Sequence, residues 1–178
     1  MRTNIVFTLT GTDRIGIVEE ITQLLLRLGG NVETSRMARL GGEFAILMLV
    51  SMPSEQLASL NKDIEGLTVQ GYKVTTSQTV QTYAEAHPGW LAYQIEVQGA
   101  DHEGIVHQVA HHLSQHGINI ESMNTEITRA PISGTPLFTM TALVVAPPSL
   151  PGEGWKDALE DVGYHLNVGI KVSAVKKP

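Results

Sequence analysis

Leu9-Thr10-Gly11-Thr12-Asp13-Arg14-Ile15-Gly16-Ile17-Val18 returns later in the chain as Val97-Gln98-Gly99-Ala100-Asp101-His102-Glu103-Gly104-Ile105-Val106. The offset is 88 residues, from Asp13 to Asp101. At that offset Gly11, Asp13, Gly16, Ile17, Val18, Leu25, Gly29, Asn31 and Glu33 meet Gly99, Asp101, Gly104, Ile105, Val106, Leu113, Gly117, Asn119 and Glu121. Repetition at this density marks two copies of one unit. The 178 residues therefore divide into a first domain at 1–81, a linker at 82–89 and a second domain at 90–178.

Working outward from the repeat, Asn4 to Leu9 reads as a strand and Gly11 to Gly16 as a loop. From Arg14, the apolar residues Ile17, Val18, Ile21, Leu24, Leu25 and Leu28 keep helical spacing until Gly29-Gly30 stops them. Asn31 to Leu40, the turn signal Gly41-Gly42, and Phe44 to Met52 read as a hairpin whose second arm is the more central. Pro53-Ser54 opens a second helix with Leu57, Leu60, Ile64 and Leu67 inward, and Tyr72 to Val80 is a fourth strand. The second half gives Trp90–Gln98, a helix ending at Gly117, and a hairpin of Asn119–Arg129 and Leu137–Ala146. The helix Trp155–Leu166 and the strand Val168–Val175 complete it. The order βαββαβ, twice, predicts an α+β chain of two tandem ferredoxin-like domains, antiparallel sheets with both helices on one face. The Pro88-Gly89 step limits slack in the linker, so the halves are expected to hold a fixed relation. Open sheet edges predict a homodimer.

Composition narrows the function. The formal net charge of −6, with only 12 Lys and Arg, disfavours direct nucleic-acid binding. Cysteine is absent, so no thiolate nucleophile or Cys-ligated zinc is available. No signal-peptide pattern or long apolar run appears, which predicts a cytoplasmic protein without membrane contact. No Gly-x-Ser-x-Gly elbow is present, and an enzyme is not expected. Five histidines lie between His102 and His116. His107/His111 and His112/His116 have i, i+4 chelating spacing, but the pairs point about 140° apart on a helix. A solvated helix surface without metal is the expectation, and no cofactor is expected.

Gly11-x-x-x-x-Gly16 lacks the Lys-Ser/Thr of a phosphate-binding loop, because Ile17-Val18 follow. The loop still ends at a helix N-terminus, which favours a carboxylate. Asp13 suits either a helix cap or a ligand's ammonium, and the Asn31 amide offers both donor and acceptor. Repeated as Asp101, Gly104 and Asn119, the set Asp13, Gly16 and Asn31 points to a site for a free amino acid. Glycine and serine are the leading candidates, since a small loop leaves little room for a long side chain.

Thr12 to Val18, Gly30-Asn31-Val32-Glu33-Thr34-Ser35-Arg36-Met37 and Leu40-Gly41-Gly42-Glu43-Phe44 together resemble the first ACT domain of the glycine cleavage system transcriptional repressor family. The resemblance is specific over roughly residues 5 to 60 and looser after Trp90. It implies regulation of amino-acid metabolism through contact with a transcription activator, modulated by glycine, without a DNA-binding domain. It implies a ligand loop of Asp13, Arg14, Ile15, Gly16 and Ile17 with Asn31 opposite. The second copy would be Asp101, His102, Gly104 and Ile105 with Asn119. Where the family often has Pro, this chain has Ile15 and Glu103. A free-standing ACT pair that gives feedback control to a separate metabolic enzyme is the alternative.

Overall fold

A computed structural model describes residues 1–79, 88–150 and 154–175. The chain divides into two compact units, Met1–Tyr83 and Ala84–Pro178. In the first, β1 (Arg2–Thr12), α1 (Ile17–Arg27), β2 (Asn31–Leu40), β3 (Glu43–Pro53), α2 (Leu57–Val69) and β4 (Lys73–Thr79) follow in order. The second has β5 (Leu91–Ala100), α3 (Ile105–Gln115), β6 (Asn119–Arg129), β7 (Pro136–Ala146), α4 (Gly154–His165) and β8 (Val168–Ala174). The sheet orders are β2-β3-β1-β4 and β6-β7-β5-β8, with antiparallel pairing throughout. These are the two ferredoxin-like sheets that the βαββαβ pattern predicts, with β3 and β7 inside and β2 and β6 at an edge.

Strand alternation builds each core. Ile5, Phe7 and Leu9 of β1 stand opposite Val50, Met48 and Ile46 of β3, so all six face one side. Against that side pack Ile17, Ile21, Leu24 and Leu25 of α1 and Leu60 and Leu67 of α2, all buried. In the second unit Ile95, Val97, Phe138, Met140 and Val144 meet Val109 and Leu113 of α3 and Trp155 and Leu159 of α4. Each such side chain contributes about 1.5–3 kcal/mol by leaving water, and each unit has a core of its own.

Two boundaries differ from the sequence reading. Gly11 and Thr12 continue β1 instead of opening the loop, because the β2–β3 hairpin is long enough to pair them with Phe44 and Glu43. Pro53, with φ −60° and ψ 130°, keeps the chain extended, and a 3-10 turn at Ser54–Gln56 precedes α2. Val80, expected at the end of the fourth strand, and linker residues 82–87 lie outside the described residues. Among those described, no helix is long and apolar enough to cross a membrane.

Candidate functional site

Each repeated loop leaves the sheet at an Asp and enters a helix at a Gly. The Asp13 N–H donates to Gly42 O (3.0 Å), and the Asp101 N–H to Pro136 O (3.0 Å). Both loops are thereby tied to the hairpin at the same end of their sheets. Asp13 does not cap α1. The capping position belongs to Gly16, and in α3 to Gly104, both left-handed at φ 88° and 93° and without a side-chain hydrogen bond. No side chain caps either helix; in α1 the Ile17 N–H donates to Arg14 O (3.5 Å), and the dipole end of each first turn favours a carboxylate or water.

The remaining loop residues separate into roles. Ile17 is a core residue, 3% exposed, whereas Ile15 is fully exposed at the loop tip. The Arg14 side chain is engaged: Nε–H donates to the Tyr72 hydroxyl (2.9 Å), and Nη2 donates to Glu20 and Gln70. Glu20 first, then Tyr72, hold its guanidinium more firmly charged than usual. Its counterpart His102 bridges in the same sense. Nδ1 lies 2.9 Å from Glu103 O and Nε2 2.7 Å from Leu166 O. Both partners are carbonyls, so only the imidazolium, with two N–H groups, satisfies both. These bonds, Glu103 first, raise its pKa, with Asp101 adding attraction.

An open groove of about 700 Å³ lies at the second loop. Asp101, His102, Gly104 and Ile105 of the repeated loop line it together with Val106, His107, Thr125, Glu126, Ile127 and Phe138. The β6 and β7 residues carry no motif. They reach the groove because Ile127 sits opposite Phe138 in the hairpin register, and only that pairing could have revealed them. The groove has room for glycine or serine and for larger amino acids.

Asn31 and Asn119 do not join these loops within their own unit. Asn31 pairs with Ser51, which pairs with Asn4, nine residues along β1 from Asp13. The separation is roughly 30 Å of strand. Asn119 lies likewise opposite Val145, which pairs with Ala92, far from Asp101. The helix between loop and strand carries the chain to the far end of the sheet before either Asn is reached.

The histidine-rich helix also departs from a wholly solvated surface. His107 and His111 are exposed and stack with ring centroids 6.0 Å apart. His112 is buried and its Nε2–H donates to Trp155 O (3.0 Å), while His116 lies against it at 4.3 Å. Burial, foremost, lowers the pKa of His112. The period of α3 turns position 112 inward with Val109 and Leu113. No cluster of three or more metal-ligating side chains forms among the described residues.

Fold and loops define a class: residues 3–74 match the ACT domain family model, and the second unit repeats the same strand order. Within that class it resembles the glycine cleavage system transcriptional repressors. It is 49% identical over 47 residues to the proteins of that name from Escherichia coli K12 and Shigella flexneri. The match covers 26% of this chain, and the chain spans about a quarter (25%) of the length of these curated relatives. Over the whole chain, the crystal structure of an unknown protein from Galdieria sulphuraria is similar at 32% identity and TM-score 0.87, covering 99% of this chain and 100% of that one. A structure provisionally assigned as a glycine cleavage system transcriptional repressor shares the fold at 21% identity and TM-score 0.70, covering 99% of both chains.

Proposed function

We propose that the protein is a cytoplasmic amino-acid-responsive regulator, not an enzyme, that acts on expression of amino-acid metabolism through a protein partner. The observation that carries this reading is the groove at the second repeated loop, where opposite charges and an apolar wall converge. A free amino acid brings one carboxylate and one ammonium, and each needs a partner when it leaves water. The first-turn N–H groups of α3 suit the carboxylate and Asp101 suits the ammonium. The name carried by the curated relatives supports a link to glycine metabolism, and the net charge of −6 favours a protein partner over nucleic acid.

Melting the full chain in the presence of each of the twenty amino acids tests the reading. A ligand at a hundred times its Kd stabilises the bound state by about 2.7 kcal/mol, a readily measured rise in Tm. No shift with any of the twenty would reduce the loops to turns.

A further inference from the structure

The two repeats differ at one position that decides what their loops can hold. On β2, Arg39 stands opposite Phe44, and its Nε lies 3.8 Å from Asp13 Oδ2. The position 88 residues later is Ile127, opposite Phe138 on the β6–β7 hairpin. An isoleucine offers Asp101 no charge, and among the described residues Asp101 forms no ion pair, its charge being met only at longer range by the His102 imidazolium. In place of the guanidinium lies the groove, walled by Ile127 and Val106, which are 59% and 39% exposed.

Resting on the amino-acid-sensing reading, we propose that the second unit alone takes the ligand, and that this ligand is an α-amino acid with an apolar side chain of leucine size or larger. In the first unit the Arg39 guanidinium occupies the place of the ligand's ammonium at Asp13. In the second, Asp101 receives that ammonium. The side chain lies against Ile127 and Val106 and removes their surface from water. Glycine would satisfy the charges and leave this wall wet.

Calorimetry on the full chain with L-leucine, L-phenylalanine, glycine and L-serine tests this. Expected are one site per chain and roughly tenfold or tighter binding of leucine or phenylalanine than of glycine, as apolar burial strengthens with each methylene. Ile127→Arg should abolish binding, and Arg39→Ile should raise the stoichiometry to two. Both side chains are exposed, at 59% for Ile127 and 68% for the Arg39 side chain, so folding is not at stake, and Ile127→Thr provides a neutral control expected to weaken leucine but not glycine. Glycine or serine binding as tightly as leucine would overturn the side-chain assignment while the regulator reading stands. Two sites in the wild type or unchanged leucine affinity in Ile127→Arg would overturn the one-site assignment, and one site in Arg39→Ile would overturn the role given to Arg39. Silence with every amino acid overturns both readings.

Discussion

Gly11 and Gly99 are glycines because a side chain packed beside the strand, Tyr72 or Val168, lies where a Cβ would go. At Gly11 the added carbon would sit 2.5 Å from Tyr72 Cδ1, a side-chain contact, with the Tyr72 backbone farther off at 3.4 Å. At Gly99 it would sit 2.7 Å from Val168 Cγ1, 2.9 Å from Val168 Cα and 3.0 Å from Asn167 O, and backbone cannot yield so easily. Gly99→Ala should therefore cost about 2–3 kcal/mol in chemical denaturation, and Gly11→Ala about half that. At Gly104, with φ 93° and open space around its Cα, the obstacle is conformational. Gly104→Ala should cost about 1–2 kcal/mol and displace the loop. His102 adds a pH dependence. Its pKa is raised in the folded chain, so its contribution is fully present below the unfolded value of 6.5. That contribution is lost as pH rises through the folded value. An NMR titration of the ring should show a midpoint above 6.5, and amide exchange in the 101–104 loop should quicken above that midpoint. The equivalent loop carrying Arg14 should show no such step.

At the scale of elements, α3 shows how far periodicity reaches. It places the helix, and the i, i+4 spacing of His112 and His116 is real, with rings 4.3 Å apart. What it does not disclose is that α4 presents the Trp155 carbonyl to His112. That contact depends on a packing partner 43 residues away, which no local pattern encodes. Because burial lowers the pKa of His112, the unfolded chain takes up a proton first as pH falls below 6.5. The share of the second unit's stability that His112 governs is thus complete above 6.5 and declines as pH drops toward the folded value, opposite in sense to the share of His102. A denaturant midpoint lower at pH 5 than at pH 7.5, with the difference reduced in His112→Gln, is the expected result. The edge strands hold another feature that spacing alone leaves unexplained. The repeated Glu33 and Glu121 sit at the register shifts of β2 and β6, between Val32 and Thr34 and between Ile120 and Ser122. A bulge at the same place in both copies gives the repeated glutamate a backbone role.

At the scale of the whole molecule, the repeat at 88 residues made the architecture legible, down to matching cap geometry at Gly16 and Gly104. It pointed to four of the ten residues that line the groove, Asp101, His102, Gly104 and Ile105, while Asn31 and Asn119 lie at the far end of their sheets. Repetition identifies positions that share a role, and strand register decides which of them meet. The proposed homodimer would reconcile the two. If two copies join their β2 edges antiparallel, Asn31 of one copy comes beside the Leu40 end of the other, where the Asp13 loop lies. Light scattering should then report twice the 19.3 kDa chain. Met37→Lys, at an edge position 37% exposed, should shift the protein to monomer without unfolding it. A wild-type monomer would remove this explanation. The tie between Arg39 and Asp13 has a consequence for how the protein would report concentration. A gene that duplicates a sensor inside one chain is free to let one copy drift, which a symmetric assembly of single domains is not. With one copy answering to its own arginine, occupancy of a chain follows a simple hyperbola. Within one chain the response is then graded over roughly two decades of amino-acid level, and any steepness must come from coupling between the two chains of the proposed dimer.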